Sequence, residues 1–125
     1  MTIGQIAGDP SFSKKCQALL ERTLGVQKAL VTTSCTHTLE ACALLPDVQA
    51  GDEMIVPAFA FVSTANAFAL RDARIVFADV HPDIFSLDET RLEGLITPST
   101  KTVVLIHYAG VGCGMDSIGA IARRH

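Results

Sequence analysis

A three-layer α/β/α fold around a mostly parallel sheet is what this chain predicts, on three observations. Short apolar runs alternate with segments of helical periodicity along the whole 125 residues. The links between them are short, as in successive βαβ units. The runs Ile75-Val76-Phe77-Ala78 and 102–106 are apolar at consecutive positions rather than alternate ones, the pattern of a parallel strand covered by helices on both faces.

Taken in order, Asp9-Pro10 opens a helix, Asp as N-cap and Pro at the first helical position. Phe12, Cys16, Leu19, Leu20 and Leu24 recur along it at helical spacing, and Gly25 stands where a C′ glycine ends it. A short strand is expected at 28–33, then a helix over 35–45 that buries Leu39, Cys42 or Ala43, and Leu44 and stops before Pro46. Gly51-Asp52 turns the chain into a strand at 53–56. Ser63 or Thr64 caps a helix running through Arg71, and a strand follows at 74–80. Asp88 is the N-cap of a short helix, with Leu87 and Leu92 spaced as a hydrophobic staple. A strand at 102–106, a glycine-containing loop at 107–114 and a helix at 115–124 complete the pattern.

Composition narrows the function. An apolar fraction of 49% fits a folded domain with a buried core. The formal net charge of −3, with basic pairs only at Lys14-Lys15 and Arg123-Arg124, argues against nucleic acid or an anionic membrane as partner. No stretch has the length and apolarity of a membrane helix, and the start lacks the layout of a signal peptide, so a cytoplasmic protein is expected. Cys16, Cys35, Cys42 and Cys113 form no C-x-x-C pair, which leaves zinc-ligand spacing absent and buried or turn-lining thiols as the expectation. No G-x-G-x-x-G follows any strand, against a dinucleotide site.

Chemistry concentrates where strands give way to helices. In Val31-Thr32-Thr33-Ser34-Cys35-Thr36 an apolar run ends in small hydroxyl residues at a helix start. There the leading N–H groups lack intrahelical partners and the dipole is positive, so an anion is held without a lysine. Ser34 and Thr36 acting only as helix caps is the plainer alternative. The next such turn, through Pro57, Phe59 and Phe61, carries rings instead of hydroxyls. Phosphate at one turn and a flat ring at the next suggest a phosphorylated aromatic cofactor.

The ordered motifs Thr33-Ser34-Cys35-Thr36, Leu39-Glu40, Gly51-Asp52-Glu53, Pro57-Ala58-Phe59-Ala60-Phe61-Val62-Ser63-Thr64-Ala65-Asn66-Ala67, Asp79-Val80 and His107-Tyr108-Ala109-Gly110 resemble the pyridoxal-phosphate-dependent sugar aminotransferases of the DegT/DnrJ/EryC1/StrS family. Within it the chain is most similar to the branch that aminates a dTDP-4-keto-6-deoxyhexose. The resemblance implies part of the large domain of a fold-type I transferase, residues 1–125. It implies pyridoxal 5'-phosphate (PLP) as cofactor, a nucleotide sugar and glutamate as substrates, surface polysaccharide assembly as the purpose, and a homodimer with shared sites. Ser34, Cys35 and Thr36 match the phosphate turn and Phe61 the aromatic lying against the pyridine ring, with Phe59 a less engaged neighbour. His107 and Tyr108 fall on the same edge, as substrate contacts or as structural residues. Ala60 stands where close relatives often have Thr, removing a hydroxyl near the site.

Transamination also needs a lysine amine and a carboxylate facing the pyridinium nitrogen. The resemblance puts both in segments beyond this sequence, and Lys14, Lys15, Lys28 and Lys101 match neither. An N-terminal piece of the cofactor domain is therefore expected, with exposed apolar edges and a tendency to associate. A non-catalytic remnant or interaction module that keeps part of the phosphate site is the rival reading.

Overall fold

The structure, a computed structural model, describes residues 11–125. The Asp9-Pro10 helix start lies outside the described residues. The chain divides into two units, residues 1–35 and 36–125.

In the first unit, helix α1 runs Ser11–Leu24, where the apolar spacing predicts it. Gly25 follows at φ +65°, and the Val26 N–H donates to the Glu21 carbonyl at 3.2 Å, the six-to-one bond of a Schellman cap. A left-handed C′ residue is where a glycine is least costly. The apolar stripe is not buried: no residue of α1 is, and Phe12 and Leu24 remain 58% and 65% exposed. The strand expected at 28–33 does not form either. A strand exists only by pairing, and among the described residues no neighbour forms a ladder with this segment. Its start is held by Glu21 instead, whose carboxylate accepts from the Ala29 N–H at 3.1 Å and pairs with Lys28 at 3.4 Å. The Thr32 hydroxyl then donates to the Ser34 carbonyl at 2.8 Å, folding the chain into a bend.

The second unit is built on a parallel three-stranded sheet, β1 Glu53–Pro57, β2 Arg74–Ala78 and β3 Thr100–Val103, in the order β2-β1-β3. Central β1 is buried at all five positions. Its alternate side chains enter different cores, as a period of two requires. Met54 and Val56 pack with Ala43, Val48, Ala67, Phe68 and Ala73 on one face. Ile55 packs with Ala78, Leu87, Leu92, Ile118 and Ile121 on the other. Helices α2 (Cys35–Leu44) and α3 (Val62–Ala69) thus cover the first face, and α4 (Glu89–Leu92) with α5 (Met115–Ala122) the second. The three layers are those the sequence predicts.

Several details differ from expectation. In α2 the buried residue is Ala43, with Leu39 partly buried, while Cys42 and Leu44 are exposed. β2 is an edge strand, so Phe77, beside Val56 in the register, is 61% exposed rather than covered. β3 begins two residues early and stops at Val103, although the Val104 N–H still donates to the Ile55 carbonyl at 2.8 Å. Its register skips Lys101 between Thr100 and Thr102, a bulge opposite Glu53 and Met54. Glu53 is buried at this amino end and satisfied there, accepting from the Thr97 hydroxyl at 2.6 Å and pairing with Arg74 at 3.1 Å. The Asp88 cap and the staple stand as expected: Asp88 accepts from the Thr90 N–H at 3.0 Å, and Leu87 and Leu92 are fully buried.

Candidate functional site

The carboxyl ends of parallel strands are where an open α/β sheet presents its ligand. Ser34 and Cys35, both exposed, close the first unit, while Thr36, half-buried, opens the second. Cys35 is the first residue of α2, so the small residues do sit at a helix start. No acidic residue occupies the first turn of α2. Through 45–52 the chain passes from the end of α2 to the amino end of β1, and Leu39 and Ala43 of α2 join the core that holds Met54 and Val56.

The turn after β1 carries the rings. The Ala58 N–H donates to the Ala78 carbonyl at 2.8 Å, carrying the ladder one residue past β1. Phe61, not Ser63 or Thr64, is the N-cap of α3: its backbone is extended (φ −70°, ψ 141°) and its carbonyl accepts from the Thr64 N–H at 2.9 Å. An apolar cap leaves leading N–H groups without a side-chain partner. The Phe61 side chain is 76% exposed on this edge, free to lie against a planar group. Phe59 behaves differently. Its ring centroid is 4.8 Å from that of Phe85 and 5.1 Å from that of Tyr108, and those two are 5.7 Å apart. The structure thereby joins Tyr108 to Phe59, and Phe85, which the motifs did not single out, completes the cluster.

His107 is exposed at the same edge, and its Nδ1 accepts from the Cys113 N–H at 3.1 Å. A neutral imidazole with Nδ1 as acceptor carries its proton on Nε2. Cys113, buried, donates its thiol to the Ile106 carbonyl at 3.3 Å, closing the loop. Cys16 and Cys42 are exposed on helices rather than buried. Lys101 lies at the opposite edge: it is the bulge residue of β3, 3.7 Å from Asp52 just before β1.

A second polar group escaped the sequence reading. His81 Nε2 lies 2.9 Å from Glu89 and 3.9 Å from Asp88, the donor atoms all within 4.8 Å of one another. The Glu89 hydrogen bond raises the His81 pKa, and the same bond lowers that of Glu89. Asp88 is lowered mainly by the Thr90 hydroxyl. Each group already has a partner, so the cluster ties the 81–86 loop to the start of α4.

Residues 8–125 match the DegT/DnrJ/EryC1/StrS aminotransferase family. The spore coat polysaccharide biosynthesis protein SpsC of Bacillus subtilis (strain 168) is 37% identical over 102 residues, 82% of this chain and 26% of its own. GDP-perosamine synthase of Caulobacter vibrioides is 38% identical over 101 residues, 81% of this chain and 27% of its own. A sugar aminotransferase of Streptococcus pneumoniae, solved in PMP and PLP forms, superposes with a TM-score of 0.87 at 29% identity over 94% of this chain and 30% of that one. The chain thus spans about a quarter of the length of these curated relatives.

Proposed function

From the premise that this chain belongs to the DegT/DnrJ/EryC1/StrS aminotransferase family, we propose that it holds the phosphate and ring of PLP in a transaminase. The reaction moves an amino group from glutamate to a nucleotide-linked 4-keto-6-deoxyhexose for surface polysaccharide, in the cytoplasm and within a homo-oligomer. The sequence resemblance favours a dTDP sugar, and the name of the Caulobacter relative favours a GDP sugar. One observation carries the reading: a carboxylate-free helix start of small residues shares its sheet face with the helix that Phe61 caps.

The residues fit the cofactor on the chemistry of their donors. A phosphate dianion needs N–H donors and a positive dipole end without competing carboxylates, which the first turn of α2 offers. PLP, when bound, supplies an aldehyde that takes up the amino group and a ring that draws electron density from the reacting carbon. Backbone N–H groups at Cys35 and Thr36, with the Thr36 hydroxyl, bind the phosphate, and Ser34 shapes the turn. Phe61 lies against the ring and keeps water from that face. His107, its Nδ1 committed to Cys113, offers Nε2–H to a substrate oxygen.

Lys101 favours a second reading, in which the chain on its own binds cofactor without turnover. It is the one lysine among residues 36–125 and belongs to the amino edge. Titration with PLP followed in the visible region, then borohydride reduction and peptide mapping, tests both. Saturable binding without an adduct on Lys101 is expected. Stoichiometric labelling of Lys101 would contradict the edge assignment, absence of saturable binding would contradict the cradle, and turnover with glutamate would remove the second reading.

A further inference from the structure

Phe59, Phe85 and Tyr108 come from the exits of β1, β2 and β3 respectively, so each strand of the sheet contributes one ring to a single cluster. The geometry is that of attractive ring pairs: Phe59 and Phe85 are tilted by 30°, and Tyr108 meets both edge-on, at 78° and 73°. Two of the three exits adopt uncommon backbone to reach it. Phe85 has φ +55° and Ala109, next to Tyr108, φ +51°, the left-handed region that side chains disfavour. The neighbouring Ser86 buries its hydroxyl oxygen without a hydrogen-bond partner. Unrelaxed backbone and an unsatisfied hydroxyl persist where the surrounding contacts outweigh them. Here those contacts are the rings, together with the backbone bonds from His81 N–H to the Ser86 carbonyl and from Phe85 N–H to the His81 carbonyl, both 2.9 Å.

The ring that gains is Phe59. It occupies the middle of the bend between Ala58, pinned to β2, and Phe61, the cap of α3. Phe61 itself is 76% exposed and takes no part in the cluster, so its own packing does little to fix it. We propose that Phe85 and Tyr108 are positioning residues: by gripping Phe59 they fix the 58–61 bend and hold the Phe61 ring in place on the carboxyl edge. What Phe61 holds there rests on the PLP reading above; that it is held does not.

The chain contains no tryptophan, so Phe61→Trp supplies a single fluorophore at the position in question. Steady-state anisotropy and acrylamide quenching of the introduced indole are to be measured in that background, alone and with Phe85→Ala, Tyr108→Ala, Phe85→Tyr and, as an aromatic control outside the ring cluster, Phe12→Ala. Circular dichroism melts verify folding, and Phe85→Leu replaces Phe85→Ala if the latter fails to fold. Loss of either clamp ring is expected to lower the anisotropy, and to raise the quenching constant only modestly because position 61 is already 76% exposed. Phe85→Tyr restores both values and Phe12→Ala changes neither. Indole signals unmoved by folded Phe85 and Tyr108 variants would overturn the proposal, as would an equal response to Phe12→Ala. No cofactor enters the measurement, so failure of the PLP reading leaves its outcome intact.

Discussion

Glu89 shows how much one side chain can tie together. Its carboxylate accepts from His81 and also lies 3.1 Å from where a Cβ on Gly114 would stand, so any larger residue there would press on it. Glu89 opens α4, Gly114 caps α5, and His81 begins the loop that presents Phe85. The tie depends on pH. His81 is raised above its ordinary 6.5, so its contribution is complete below that pH and is lost as pH rises through the raised value. Glu89 and Asp88 are lowered from 4.5 and 3.8, so theirs are complete above those values and are lost as pH falls through the lowered ones. Asp83 adds a weaker attraction for the charged imidazole. The melting-temperature difference between the natural chain and His81→Gln should therefore be largest between about pH 4.5 and 6.5 and shrink on both sides. A pH-independent difference would assign the loss to packing instead. None of this was legible beforehand, because His81 and Glu89 are brought together by the bridge between Val80 and Leu87.

At the scale of elements, periodicity located α1, α2, β1, α3, β2, α4 and α5, and residue types supplied the Gly25 and Asp88 caps. It failed where pairing or neighbours decide. Residues 28–33 have strand composition and no ladder, and the apolar run of β2 reads as central although Phe77 sits on an edge strand. The second edge, β3, has its own consequence. Among the described residues only β1 pairs with it, and beside it lies a groove of about 760 Å³ lined by Ile96, Val103, Leu105, Met115, Ile118 and Ile121 among others. An unpaired strand beside apolar surface is a template for association. Met115, 50% exposed at the first position of α5, can be charged without burying the charge, and an acid there also suits the helix dipole. Met115→Glu should lower the mass-average size in light scattering at equal concentration and leave the melting temperature unchanged or slightly raised. Undiminished association would place the sticky surface elsewhere, for example on the exposed stripe of α1.

For the molecule as a whole, residues expected at the cofactor fall at helix starts, Cys35 and Thr36 as the first two residues of α2 and Phe61 as the N-cap of α3. Ser34 precedes them in the bend. Small and hydroxyl residue types made the start of α2 readable as a helix start, where such residues also serve as caps. The clamp behind Phe61 was not readable, because Phe59, Phe85 and Tyr108 are distant in sequence and meet only once the strands are aligned. On the proposed reading the α2 start binds a phosphate while Phe61 backs a ring, and comparing dissociation constants for PLP and for pyridoxal, which has the ring and aldehyde but no phosphate, isolates the phosphate contribution. PLP is expected to bind at least about tenfold more tightly, and Thr36→Asp to erase most of the gap by placing a negative charge in the first turn. Equal affinities for the two compounds, or a gap untouched by Thr36→Asp, would contradict it.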